Sequence, residues 1–435
     1  MTFLWRLRSY SQASFLRRSL SSGAMIQCRS AAFGLRFPVP FLVGDILKDP
    51  TRLPGKCGIF SLGMLQLLAY GGSFFLMAVM AEPIMQDTGW ASQWVYGALS
   101  LSILVSGLLA PLASRLIARF GGRNILASSG LVLASGLLLM AASNSLPMFL
   151  CAWAVLGVGM ALGLFEALLA TLAALYGERS GSAITGITLI SGFATTLCWP
   201  VVALAIEQFG WRTTCQGYAV LLLISVAPLY LWVLPSGRGV LAKGNTGQGG
   251  DGAVDRRVYL LLTTTFAVGA VIMTAMSVHL LALLQGQGYS LAIAVGLSAL
   301  VGPSQVGARF LQVFWRTHHP VWITLVSVVL VTLGLLLVMI APVATALGLV
   351  LFGAGNGLRP IIRGLLPLAL MSPANYVRLM GRMARPSLIA QALTPLAGGY
   401  LLQVANAGSV LVILCALALL NVLLVVLLAR KVGYT

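Results

Sequence analysis

Residues 146–173 read LPMFLCAWAVLGVGMALGLFEALLATLA, an apolar run interrupted by one ionisable side chain, Glu166. Wound as a helix at about 1.5 Å of rise per residue, such a run crosses the roughly 30 Å hydrocarbon core of a bilayer with turns to spare. A helix on the surface of a soluble protein needs a polar stripe toward water, and this one has none.

The pattern recurs along the chain. Apolar runs predict further helices near residues 58–80, 93–117, 124–143, 183–206, 216–234, 258–283, 291–315, 320–341, 343–369, 386–405 and 408–428. Backbone polar groups inside lipid must be satisfied without water, so only helices and closed barrels can span. Barrel strands are shorter and alternate polar with apolar residues, which these runs do not. The expectation is an all-α membrane protein with twelve transmembrane helices. Composition agrees, with 59% hydrophobic and only 8% charged residues. A soluble domain carries roughly 25% charged residues, and this chain has too few to cover a water-facing surface.

The formal charge is +18, from 27 Lys and Arg against 9 Asp and Glu. In a soluble protein that excess would suggest nucleic acid. Placement points elsewhere. Threaded through the twelve runs, every Lys and Arg except Arg212 falls on one side, in the tails, the central loop and the even-numbered helix ends. The positive-inside rule makes that side cytoplasmic, with both termini there, and no nucleic-acid partner is expected. The six cysteines lack ligand spacing and read as small hydrophobes. His318 and His319 stand beside Pro320 without a Cys or carboxylate companion, so no metal is expected. A phosphate-binding glycine loop is also missing, which leaves neither ATP nor another cofactor implied.

The chain divides into a basic tail (1–57), a first helical half (58–234), a Gly-rich charged linker (235–257), a second half (258–429) and a short tail (430–435). The first 44 residues hold six Arg, many Ser and no acid, a composition like that of a mitochondrial transit peptide. A cytoplasmic tail of a bacterial inner-membrane protein, or a start codon placed too early, gives the same composition. The halves share traces of duplication. LGVGMALG (156–163) corresponds to FGAGNGLR (352–359), and Tyr176-x4-Gly181 corresponds to Tyr376-x4-Gly381.

The loop after the second helix reads SRLIARFGGR, residues 114–123. It resembles the loop signature of the major facilitator superfamily, with Leu116, Arg119, Gly121 and Arg123 matching. Ser114 replaces the family's glycine and Ala118 its aspartate. In the family that acid helps latch the cytoplasmic side, so the resemblance implies a carrier whose usual latch is altered. Thr88-Gly-Trp90 with Trp94, YGERSGSAITGITLISG (176–192) and Gly210-Trp211-Arg212 resemble the bacterial monocarboxylate and oxalate–formate branch. The resemblance implies two pseudo-symmetric six-helix bundles rocking about a midplane site. Trp153 stands where the family's helix-4 arginine would be, and SGFATTLCWP (191–200) lacks the antiporter G-P-x-x-G-G pattern. Both departures weigh against drug–proton exchange.

Ionisable groups inside spans are costly and mark function. Glu166 lies at a depth similar to Arg359 and Arg363 on the tenth helix, which predicts an inter-half pair when the cavity faces outward. The competing readings are a proton-coupling acid without an Arg partner and a side chain snorkelling to water. Arg309, in GPSQVGAR, resembles the arginine with which monocarboxylate carriers hold a substrate carboxylate; a positive-inside anchor is the alternative. Gln66, Tyr70, Trp153, Thr195, Thr196, Trp199, Gln305, Asn356 and Gln391 are the candidates for lining a midplane cavity. That set suits hydrogen bonding to, and stacking on, a neutral or weakly anionic solute, an organic acid or a heteroaromatic vitamin such as riboflavin. The reading is uptake by alternating access, by a monomer in the bilayer, with a proton as the possible coupling ion. Efflux of a toxic compound is the alternative. A membrane enzyme or receptor is remote, for want of a catalytic constellation or sensory domain.

Overall fold

The computed structural model describes residues 54–235, 255–312, 319–340, 342–371 and 373–433. Most of the N-terminal tail, most of the central linker and His318 lie outside the described residues. The described chain is all-helical and forms twelve spans. Span 1 is Lys56–Gly71 followed by Met77–Thr88, span 2 is Ser92–Phe120, and span 3 is Gly122–Ala141. Span 4 consists of Leu146–Gly163 and Phe165–Tyr176. Span 5 is Gly181–Ser191 together with the first part of Ala194–Val233; span 6 is the remainder, beyond the non-helical Gly210. The second half comprises span 7 (Arg256–Gly286), span 8 (Leu291–Ser298 and Val301–Gln312), span 9 (Pro320–Ile340), span 10 (Thr345–Leu370), span 11 (Pro373–Val404) and span 12 (Ala407–Val432).

Eight described helical stretches are long and apolar enough to cross a membrane, with Leu146–Tyr176 taken as one and Leu197–Val233 as another. The other spans are assembled from half-helices or carry arginines. Spans 1, 4, 5 and 8 are interrupted near their middles, a feature the hydropathy pattern does not carry because it is blind to φ and ψ. Span 11 starts at Pro373, well before the expected 386. Its first turns hold Arg382 and Arg385; arginine is a good helix former, so the helix outruns the lipid-facing segment. The loop expected at 114–123 is likewise mostly helix. Span 2 runs to Phe120, and Gly121, at φ 85°, makes the reversal that a residue with a Cβ resists.

Within lipid the hydrophobic effect does not drive helices together, so close packing of small residues must. The duplicated glycines do this in the same way in each half. A Cβ on Gly157 would lie 2.5 Å from the Ser102 carbonyl of span 2, and one on Gly353 would lie 2.8 Å from the Val301 carbonyl of span 8. Two residues on, Gly159 packs against Leu133 of span 3 and Gly355 against the Ser327 carbonyl of span 9. Each central helix therefore touches the two equivalent neighbours in its own bundle.

The bundles meet on the arginine-rich side. Gly381 of span 11 sits against the Ala110 carbonyl and Ser114 of span 2, and Gly107 against Leu388. Gly364 of span 10 faces Ile184 of span 5, and Gly181 faces Leu365. The outer surface displays Leu204, Ile224, Leu311, Leu396 and Leu423, which suits a bilayer.

Candidate functional site

The site is built on the interruption in span 4. Leu164 is extended (φ −81°, ψ −168°), which releases the Gly163 carbonyl from the helical ladder. An unpaired carbonyl at this depth costs several kcal/mol in lipid, roughly, so a partner is required. Gln66 of span 1 supplies it: its Nε2 donates to Gly163 O at 2.8 Å and to the Tyr230 hydroxyl at 3.0 Å. Gln66 is fully buried. It is therefore a clamp inside the first bundle and not the cavity residue that its polarity suggested.

The helix restarts at Phe165 and places Glu166 in its first turn. Free N–H groups and the positive end of the helix dipole favour a carboxylate there. Arg363 of span 10 brings Nη2 to 2.8 Å from Glu166 Oε1, bridging the two halves. The side chains keep 23% (Arg363) and 15% (Glu166) of their surface, so the pair borders open volume. The contact is ionic and not an aligned hydrogen bond, because Nη2 points a hydrogen at no acceptor. Tyr70 of span 1 and Tyr376 of span 11 lie within electrostatic range of both charges. The Tyr70 ring packs on Phe165 at 5.3 Å. Tyr376 is 1% exposed and its hydroxyl has no partner.

Two more cations stand near. Arg359 donates from Nη1 to Asn356 Oδ1 at 3.4 Å, and its guanidinium lies against Gly269 of span 7. Arg309 is buried; its Nε donates to Gly357 O at 2.8 Å, and its guanidinium fills the notch left by Gly192 of span 5. The Arg309 side chain thus turns inward to the seam rather than outward to the loop. Among the described residues no acid pairs with Arg309 or Arg359. A buried cation left unpaired is costly, so an arrangement of three arginines and one acid favours an incoming anion.

The other candidates disperse. Trp153 is fully buried beside Phe149 at 6.3 Å, a core residue of the first bundle and not a cavity wall. Trp199 is partly exposed, and its Nε1 donates to Phe75 O at 3.1 Å. With Tyr218, which donates to Leu68 O at 2.9 Å, it serves carbonyls at the interruption in span 1. Asn356 and Gln391 are buried, Gln305 half-buried with its backbone against Gly357. Thr195 and Thr196 lie in span 5, with side chains outside the described residues. In the loop motif, Ser114 is buried against Gly381, Leu116 is half-buried and Ala118 is exposed. Arg119 lies over the Phe120 ring at 5.2 Å. Arg123 donates to Leu231 O at the end of span 6, a cation on the negative end of a helix.

Three features carry little signal in the sequence. Tyr376 was visible only as half of a repeat; a tyrosine two residues before an arginine on a span was the available signal. His279 of span 7 sits in the notch of Gly398, where a Cβ would lie 2.5 Å from Nε2, and that nitrogen has no partner. An apolar cleft of about 270 Å³ beside it, lined by Ala275, Thr394, Gly398 and Leu414, holds none of the site's charges. On the opposite face Asp87 accepts from Trp211 Nε1 at 3.0 Å and pairs with Arg212, which also donates to Ser143 O at 3.2 Å. Asp87 lies beyond the apolar stretch that ends near residue 80, exposed at the end of the helix, and these donors, Trp211 first, hold its carboxyl below the usual range.

Two six-helix bundles in a bilayer, with ionised groups held at the seam between them, define a membrane transporter. The chain belongs to the Major Facilitator Superfamily, whose family model matches residues 62–370. Rat Monocarboxylate transporter 3 is 34% identical over 131 residues, 29% of this chain and 24% of that protein. Human Monocarboxylate transporter 11 is 30% identical over 176 residues, 39% of this chain and 33% of that protein. The matched stretch thus spans a quarter to a third of these relatives' length. The human organic anion transporter MFSD10 (TETRAN) shares the fold, with a TM-score of 0.63 at 17% identity over 85% of this chain and 98% of that one. Both sequence relatives are mammalian, so the expected bacterial placement gains no support from them.

Proposed function

We propose that this chain carries a small organic anion of the monocarboxylate class across its membrane by alternating access, driven by a solute or proton gradient. The observation that carries this reading is the imbalance at the seam: of Arg309, Arg359 and Arg363, only Arg363 meets an acid among the described residues, Glu166, while Arg309 and Arg359 are held by the Gly357 carbonyl and Asn356. That imbalance moves the reading from a neutral solute toward the acid end of the range. The names of the sequence relatives support the same class. Glu166–Arg363 is the latch on the arginine-rich side, which the positive-inside rule makes cytoplasmic. Protonating Glu166 removes the charge that holds Arg363, which is a route for proton coupling.

Counterflow in proteoliposomes tests this with labelled lactate, benzoate and riboflavin. The carboxylates should exchange and riboflavin should not, and Arg309→Gln should lower carboxylate exchange at least tenfold. Exchange of riboflavin without either carboxylate would overturn the anion assignment.

A further inference from the structure

We propose that the substrate carboxylate competes with Glu166 for Arg363 and takes Tyr376 as its second donor, so that binding itself opens the latch. This rests on the anion reading above and adds where the anion binds and what it displaces. Two buried donors near the Glu166 carboxylate are left unmade. The Arg363 Nη2 group has no aligned acceptor although Glu166 is 2.8 Å away, and the Tyr376 hydroxyl, 1% exposed, has no acceptor at all. Buried donors are seldom left unmade, and such a group within electrostatic range of a charged pair calls for an acceptor. Both stand beside the start of the 12-residue half-helix Phe165–Tyr176, whose N-terminal dipole favours a negative charge whether it belongs to Glu166 or to a ligand.

Geometry limits the occupant. Arg363 is the more exposed of the two side chains although its Nη2 is itself buried, so an anion approaches the open edge of the guanidinium and must then take the place that Glu166 holds beside Nη2. Two carboxylates cannot share one guanidinium at close range without repulsion, so the bound anion expels Glu166. The planar guanidinium and a phenol hydroxyl then present three N–H or O–H donors to a carboxylate's two oxygens. Once Glu166 leaves, the ionic tie between spans 4 and 10 is gone, and the bundles are freed on that side. Occupancy and opening become one event.

Binding of benzoate to the purified full-length carrier, followed by calorimetry, tests the displacement. Without a carboxylate to displace, Glu166→Gln should bind benzoate at least tenfold more tightly. Tyr376→Phe should bind about tenfold more weakly, and the double variant should return near wild type. Removing a charge strengthens anion binding even without displacement, so a distance measurement is added. Spin labels at the exposed Arg179 and Ala369, in a background lacking the exposed Cys57 and Cys151, report the separation of spans 4 and 10. Benzoate should lengthen that distance in the otherwise unaltered protein, and Glu166→Gln should show the long distance with no benzoate. If benzoate binds, and Arg309→Gln weakens it, yet the distance is unmoved, displacement is overturned while the anion reading stands. If benzoate binds no form of the protein, both fall.

Discussion

Replacing Gln66 by Leu tests whether the interrupted fourth span depends on a single side chain. The substitution keeps volume and adds no charge, but it orphans the Gly163 carbonyl, and the Tyr230 hydroxyl loses the donor it accepts from. Average side-chain hydrogen bonds between membrane helices are worth about 0.6 kcal/mol each, which sets a floor near 1 kcal/mol for the two. Leaving a buried acceptor unmade costs about 1–3 kcal/mol. The middle to upper part of that range, about 1.5–2.5 kcal/mol, applies to Gly163, because its carbonyl was released by the chain break and full burial at Gln66 leaves water no path to it. The Tyr230 hydroxyl can rotate, so it stays near the floor. The sum is about 2–3 kcal/mol. A change of that size lowers the midpoint of a domain of 150–250 residues by about 2–4 °C per kcal/mol. Thermal unfolding in detergent, followed by intrinsic fluorescence, should therefore show a drop of about 4–12 °C. Transport should fall as well, since the break sets the direction of Glu166. Tyr230→Phe, which removes only the weaker bond, should move the midpoint by less than half as much. Equal midpoints for Gln66→Leu and the parent protein would refute the argument that Gln66 holds the break.

Exchanging Glu166 and Arg363 should restore at least part of the transport that either single replacement abolishes; no rescue in a counterflow assay would remove support for the latch. Gly157→Leu and Gly353→Leu should each prevent close packing and lower the midpoint by similar amounts, since overpacking costs about 1–3 kcal/mol or more. A large effect at one and none at the other would contradict the equivalence of the halves. Asp87→Asn should lower the midpoint at neutral pH. The folded Asp87 has a depressed pKa, so its contribution is complete above the unfolded value and is lost as pH falls through the lower folded one. The gap between Asp87→Asn and the parent should therefore close on acidification below the ordinary carboxylate range; a gap constant with pH would show that the pair is not its source.

Much of the architecture is legible in the sequence because the bilayer imposes a length and a polarity on every span. Depth is partly legible too: counting residues along spans 4 and 10 puts Glu166 at a depth similar to Arg359 and Arg363 without choosing between them, and it is Arg363 that lies 2.8 Å from Glu166. The interruptions are not legible, since they depend on backbone angles at Gly163–Leu164 and Gly71–Gly72. Their consequences are the reason several polar candidates were misplaced. Gln66 and Trp199 look like cavity residues by type and depth, but each is committed to a carbonyl on another segment. Those bonds join positions as much as 124 residues apart, a relation that periodicity within one helix does not encode. Arg309 misled in the opposite sense, because its Cα lies near a helix end while its long side chain reaches back to the seam.

The pairing of Asp87 with Arg212 bears on how the protein stands in an electric field. Among the described residues Arg212 carries the one cationic charge on the face remote from the arginine-rich loops, and a neighbouring carboxylate cancels it. Glu82 and Glu207 remain there, against a heavy excess of cations on the other face. The molecule is thus a permanent dipole across the bilayer, and in the orientation that the positive-inside rule proposes its positive pole faces the compartment that living membranes keep negative. Dragging one such charge through a 100 mV potential costs about 2.3 kcal/mol. Inversion would require many at once, so the voltage across the membrane acts as a standing lock on orientation, and the cancelled arginine adds nothing against it.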